Sequence, residues 1–374
     1  MLNNKNIDKK ILDKIKAIVQ EFIIDGKCTE ILTLGTGHIN DSYLIRTDFP
    51  GTAYVLQRIN HHVFKNIPGL INNIVNVTHH IEMKILSGDR AAQGLTALKL
   101  IKERTGGFFY RDIDGCYWRT YNFINNTISY DQVKDPLLAQ EGGKAFGRFQ
   151  YLTSDLPGET LAETIPDFHD IEKRLISFRR IKAKDLAGRV NQVNREADLI
   201  EQKSGEMKSL ALLIDKGKIP LRVTHNDTKF NNILFNKEMK AVCIVDLDTV
   251  MPGTILYDFG DAIRTVTNTG NEDESDLKKV NINLDLFTAY SKGYLNVAQQ
   301  FLNDHEKDNL AFSAKYMTFI IGLRFLTDHI DGDKYFRIHF ENHNLQRARA
   351  QFRLLESMEE NFEKMKRIIL QIVK

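Results

Sequence analysis

The sequence predicts an α+β protein built as two lobes, a small antiparallel sheet followed by a larger and mostly helical body. Three observations carry that expectation. Short β-type runs separated by turn residues fill the first third of the chain, helical periodicity dominates the remainder, and 374 residues exceed what one compact core usually organises. The character of the elements changes near residue 124 without a Pro/Gly/Ser-rich linker, so the lobes are taken as residues 1–124 and 125–374, joined by Asn122, Phe123 and Ile124. A hinge between lobes is a preferred place for a ligand cleft.

The first 24 residues carry charged side chains within their apolar spacing and read as a surface helix, since a signal peptide needs an unbroken apolar core. Residues 31–34, 41–46 and 53–59 (AYVLQRI) read as strands, the first two separated by Gly35, Thr36 and Gly37. Residues 70–86 place Ile71, Ile74, Val77, Ile81 and Ile85 at helical spacing, and Ser87-Gly88 ends that helix. Residues 108–111 and 116–123 flank an Asp114-Gly115 turn and complete an expected five-stranded sheet. Helices are expected over 136–152, 166–182, 195–216, 280–296, 309–330 and from 345 to the end.

Composition narrows the function by exclusion. Lys plus Arg number 51 against 49 Asp plus Glu, and a net charge of +2 gives no field that would gather nucleic acid or an acidic membrane. No apolar run has the length expected of a membrane-spanning segment. Cys28, Cys116 and Cys243 are odd in number and widely spaced, which argues against a disulfide framework or a zinc site and fits a reducing cytoplasm. The expectation is a cytoplasmic monomer whose partners are small molecules.

One stretch interrupts the helical half: residues 224–253, THNDTKFNNILFNKEMKAVCIVDLDTVMPG. Its apolar runs 232–235 and 241–245 are separated by a turn-length polar stretch and read as a β-hairpin. In an antiparallel pair the start of the first strand lies beside the end of the second, which brings Asn232 next to Asp246. A carboxylate and an amide carbonyl, with few other protein ligands, suit Mg²⁺, which takes its remaining ligands from water and substrate phosphates. Asp227, five residues before Asn232, is then placed to aim its carboxylate at a substrate hydroxyl, the division of labour found in kinases. Asp246 and Asp248, at i and i+2, share a face and repel unless a cation or hydrogen-bond donors sit between them.

The arrangement HxDxxxxN followed by an apolar strand ending in Asp resembles the aminoglycoside phosphotransferase and choline kinase superfamily, relatives of protein kinases. The longer wording THNDTKFNN, IVDLDTVMPG and YDFGDAIR is similar to the N-acetylhexosamine 1-kinase family, which phosphorylates the anomeric hydroxyl of N-acetylglucosamine and N-acetylgalactosamine. The resemblance implies a bilobal protein-kinase-like fold, ATP as co-substrate and Mg²⁺ as cofactor, with residues 1–124 as the nucleotide-binding lobe and 125–374 holding the catalytic loop and the sugar site. It implies that Asp227 is the catalytic base, Asn232 and Asp246 are metal ligands, and His225 braces the loop, with Asp248 in support. Asp258 and Asp261, before Ala262-Ile263, are read as structural residues that cap a helix.

On the nucleotide side, Leu34 to Ser42 (LGTGHINDS) joins two strands and offers Gly35, Thr36 and Gly37 as a turn whose amides can approach phosphate. The third strand presents Gln57 and Arg58 where a kinase commonly carries Lys. Adjacent strand residues face opposite ways, so one of the two faces the cleft; Arg58 is favoured, paired to Glu82 of the crossing helix. By resemblance, backbone groups near Asn122, Phe123 and Ile124 receive the adenine. Arg324 and Tyr335, with His38 and Asp41 beside the phosphate turn, are the expected sugar contacts.

Overall fold

The computed structural model describes residues 2–3, 8–34 and 39–374. Its N-terminal lobe is one antiparallel sheet of β1 (Leu2–Asn3), β2 (Cys28–Leu34), β3 (Asp41–Thr47), β4 (Ala53–Ile59), β5 (Leu100–Ile101), β6 (Tyr110–Arg111) and β7 (Tyr117–Asn122). The strand order is β1-β2-β3-β4-β7-β5, with β6 also paired to β7. The sheet therefore has two strands more than expected, because a two-residue strand such as β1 or β5 has no alternation to read.

Alternation along these strands sorts the lobe into two faces. Ile31, Ile45, Tyr54, Leu56 and Trp118 form the outer face and pack under Ile15, Ile18 and Val19 of α1 (Lys9–Val19) and under Phe22 just beyond it. On the other face Val55 and Tyr121 join Leu70, Ile71, Ile74 and Val77 of α2 (Ile67–Leu86), together with Leu247 and Val250 from the second lobe. The crossing helix thus seats the sheet on the helical body.

The C-terminal lobe contains α3 (Pro136–Leu152), α4 (Ile171–Lys184), α5 (Asn194–Asp215), α6 (Ile255–Val266), α7 (Leu284–Ala298), α8 (Asp304–Ile330), α9 (His343–Glu360) and α10 (Phe362–Val373). Two antiparallel pairs sit at its upper edge, β8 (Arg222–Thr224) with β11 (Met251–Gly253) and β9 (Ile233–Phe235) with β10 (Ala241–Ile244). Helices α3 and α7 cross backbone to backbone. A Cβ on Gly143 would lie 2.1 Å from the Tyr290 carbonyl and one on Gly293 1.8 Å from that of Gln140, so only glycine permits the crossing.

Several expected boundaries move for local reasons. Helix α4 begins at Ile171 because the Asp170 side chain accepts from Lys173 N–H and caps it there. Helix α8 begins five residues before the expected start, at Asp304, behind a reciprocal Asn303–Glu306 capping box. Helix α8 is long and apolar enough to cross a membrane on length and composition, but it is buried inside the lobe and forms its central core helix. Asp258 and Asp261 do not cap a helix: they lie inside α6, whose cap is Thr254. The three cysteines are unpaired.

Candidate active site

The loop between β8 and β9 is held from behind. His225 is fully buried between the rings of Phe146 and Phe149, at 5.6 and 5.8 Å. Its Nδ1 accepts the Asp227 N–H at 3.3 Å, so its proton is on Nε2 and is donated to the Val245 carbonyl at 3.0 Å. Asp258 accepts the backbone N–H groups of His225 (2.9 Å) and Asn226 (2.7 Å), fixing Asn226 in the left-handed region at φ 62°. Burial raises the Asp258 carboxyl above its usual range, against the pull of His225 and the two amide donors. Asp261 instead pairs with Arg264, whose Nε lies 2.8 Å away.

At the front of the loop the expected convergence is present. The hairpin pairs Ile233 with Ile244, and Val245 donates to the Asn232 carbonyl at 2.9 Å, which places Asn232 beside Asp246. The Asn232 amide nitrogen donates to the Asp227 carbonyl at 2.9 Å and to its carboxylate at 3.4 Å. Among the described residues, its side-chain oxygen accepts no hydrogen bond. Asp246, in the left-handed region at φ 61°, opens onto that cleft and makes no ion pair or side-chain hydrogen bond. Desolvation, then Asp248 and Asp227, push its carboxyl up to about 6. An unpaired, crowded carboxylate beside an amide oxygen fits a hard divalent cation. Among the described residues, no three His, Cys, Asp or Glu side chains form a metal cluster, so two protein ligands and substrate oxygens would have to suffice.

Asp227 has a companion that sequence reading passed over. Lys229 brings its ammonium 3.3 Å from the Asp227 carboxylate, and 40% of its side chain is exposed. Burial alone would raise the Asp227 carboxyl, but Lys229 outweighs it and holds it below the usual range. The pairing in turn holds Lys229 well above an ordinary lysine. The available signal was its place two residues after Asp227 on the same short loop.

The N-terminal lobe corrects the expectation for Arg58. Arg58 lies on the outer face of the sheet, with Nε 2.8 Å from Asp41, so neither Arg58 nor Asp41 reaches the cleft. Glu82 pairs with Lys99 at 2.5 Å instead. Gln57 faces inward, and its partner across the ladder is Arg119 of β7, which sequence reading missed. Arg119 is fully buried and forms an ion pair with Asp248, which also accepts from Asn40 at 2.6 Å. At the hinge the Asn122 and Phe123 N–H groups are used by Lys99 and Ala53 carbonyls, leaving that of Ile124. Gly35, Thr36, Gly37 and His38 lie outside the described residues.

A second cavity, of about 190 Å³, opens on the helical side and is lined by Arg174, Arg324, Thr327, Asp328, Tyr335 and Phe336 among others. The Arg324 guanidinium carbon lies 4.6 Å from the Phe168 ring, 5.7 Å from that of Tyr335 and 5.4 Å from that of Phe336, and has no carboxylate partner. Burial, then repulsion from Arg324, lowers Arg174 to about 10. Asp328 is spent on the Tyr335 and Phe336 N–H groups at 2.8 and 2.9 Å, and Asp331 pairs with Lys334 at 3.0 Å. His169, beside Phe168, bonds the Asn226 carbonyl at 3.2 Å and lies within electrostatic reach of both Arg324 and Asp227. Arg324 of the cavity is thus linked to the loop that carries Asp227 through the neighbouring residues Phe168 and His169.

Comparison with known proteins agrees with this fold. Residues 30–294 match the model of the phosphotransferase enzyme family. An aminoglycoside phosphotransferase from Alicyclobacillus acidocaldarius superposes with a TM-score of 0.61 at 11% identity, covering 93% of this chain and 96% of its own. Plasmodium vivax ethanolamine kinase gives 0.59 at 13%, covering 94% and 91%. A spectinomycin phosphotransferase in complex with ADP and spectinomycin gives 0.57 at 13%, covering 96% and 100%.

Proposed function

Because the chain belongs to the phosphotransferase enzyme family, we propose that it transfers the γ-phosphoryl group of ATP to the anomeric hydroxyl of an N-acetylhexosamine, giving the sugar 1-phosphate. The observation that carries the acceptor is the unpaired Arg324 in an aromatic-lined cavity beside the catalytic loop. Two guanidiniums and no free carboxylate repel a cationic amino alcohol or aminoglycoside. They suit a neutral acceptor rich in hydroxyl and carbonyl oxygens, with Tyr335 and Phe336 offering faces to a sugar ring.

In this reading Asp227 orients the acceptor hydroxyl and receives its proton as the oxygen–phosphorus bond forms. An anomeric hydroxyl is more acidic than an ordinary alcohol, so a carboxyl held low by Lys229 is a sufficient acceptor. Asn232 and Asp246 are the residues that would hold Mg²⁺, which when bound neutralises charge on the transferring phosphates. Lys229 supplies a fixed positive charge beside the reacting centre, and the Ile124 N–H is the hinge donor left for a nucleotide base.

The test is an acceptor-dependent ADP-release assay with and without Mg²⁺, across N-acetylhexosamines, choline, ethanolamine and aminoglycosides, with the phosphorylated carbon identified by NMR. Turnover of an N-acetylhexosamine to the 1-phosphate is expected. Turnover restricted to the cationic acceptors would overturn the reading.

A further inference from the structure

The inward-facing position of β4, where a phosphate-binding lysine is expected, carries the neutral Gln57. Register places Ser42, Gln57 and Arg119 in one row across β3, β4 and β7, on the face opposite Asp41, Arg58 and Trp118. That row looks toward the other lobe, since Arg119 meets Asp248 there. A guanidinium that is 1% exposed cannot touch a nucleotide, and Asp248 cancels its charge. Its work is directional. Nε and a terminal nitrogen of Arg119 both donate to Gln57 Oε1, at 3.0 and 2.9 Å. The carboxamide oxygen is therefore fixed toward Arg119, and its nitrogen points the other way, donating to Ser42 Oγ at 2.9 Å. The Ser42 oxygen accepts, so its own proton is free to be donated, as is the second N–H of Gln57.

We propose that Asp248, Arg119, Gln57 and Ser42 form a relay that presents two uncharged donors, the Ser42 hydroxyl and the Gln57 amide, to the polyphosphate of the nucleotide. Ser42 and Gln57 touch the ligand; Arg119 and Asp248 are positioning residues. Ser42 is only two residues after Asn40, whose side chain donates to Asp248 at 2.6 Å while accepting the Asn60 N–H at 3.0 Å. The same carboxylate thus ties Arg119 of β7 and Asn40, just before β3, to the segment that carries Asp246. The proposal rests on the nucleotide half of the function above and is independent of the acceptor.

Equilibrium binding of Mg-ATP and of adenosine, measured calorimetrically without acceptor, tests it. Ser42→Ala is expected to weaken ATP about 10-fold or more, the loss of one hydrogen bond to a charged oxygen, and to leave adenosine unchanged. Gln57→Glu separates function from structure. A carboxylate keeps both Arg119 bonds, so thermal stability is retained, but it removes the amide donor and adds a like charge, so ATP is expected to weaken more than 10-fold. Either variant binding ATP as tightly as the parent overturns the relay. A parent chain that binds no ATP overturns the nucleotide reading and the relay with it, whereas ATP binding without sugar turnover overturns only the acceptor.

Discussion

The Lys229 ammonium lies 3.3 Å from the Asp227 carboxylate, so the candidate base is held ionised by a cation on its own loop. Asp227→Asn removes the proton acceptor while preserving shape. ATP binding is expected to persist while kcat falls by about 10²- to 10⁴-fold in steady-state assays. Near-parental turnover would show that the carboxylate is not the base.

Replacing the cation acts on the same carboxylate from outside. In Lys229→Met the Asp227 carboxyl is left with burial and weaker neighbours, so its titration moves up. The acidic limb of the kcat–pH profile is then expected at higher pH, with activity lost earlier as pH falls, and Lys229→Arg is expected to restore it. An unmoved limb would remove Lys229 from the mechanism.

Arg324→Met tests the acceptor side. The expected change is a rise of about 10- to 100-fold in KM for the sugar, the scale of a charge-assisted hydrogen bond, with KM for ATP unchanged. A rise in both constants would place Arg324 in the fold and not in the site.

Asp258→Ala leaves two backbone N–H groups of the catalytic loop without their acceptor. A loss of about 3 kcal/mol in urea unfolding is expected, together with loss of turnover. Unchanged stability would mean that the loop conformation does not depend on α6.

Buried neutral histidines set the acid stability. His169 is held down to about 3 by burial and then Arg324, whereas an unfolded histidine titrates near 6.5. Between those values only the unfolded chain takes up the proton. Stability is therefore present above about pH 6.5 and lost as pH falls toward 3, by up to about 1.4 kcal/mol per pH unit for this group. His329 and His343, also lowered mainly by burial, act in the same direction. His169→Gln is expected to shrink the difference in urea midpoint between pH 7 and pH 5.

The two-lobe division and the meeting of Asn232 with Asp246 were legible in the sequence because both follow from local pattern: periodicity in one case, a short hairpin in the other. The sidedness of Gln57 and Arg58 was not. Alternation says that neighbours oppose, but which parity faces the cleft is decided by the register of β4 against β3 and β7. Arg119 was invisible for a related reason, since its meaning lies in a contact with Asp248 on the other lobe. Reading Asp258 and Asp261 as its caps places the start of helix α6 too late, because its polar residues are buried inside the helix and not at its end. Gly260 is the point where α6 touches α8, a Cβ there falling 2.2 Å from the Ser313 carbonyl.

Asn232 has a kinetic consequence. One end of its side chain grips Asp227 and its backbone adjoins the Asp246 segment, so the base and the phosphate-side ligands keep a common frame within one lobe. On the proposed function, solvent viscosity is therefore expected to slow nucleotide entry and product departure while leaving the rate of a single chemical turnover unchanged, as measured by comparing steady-state with single-turnover kinetics.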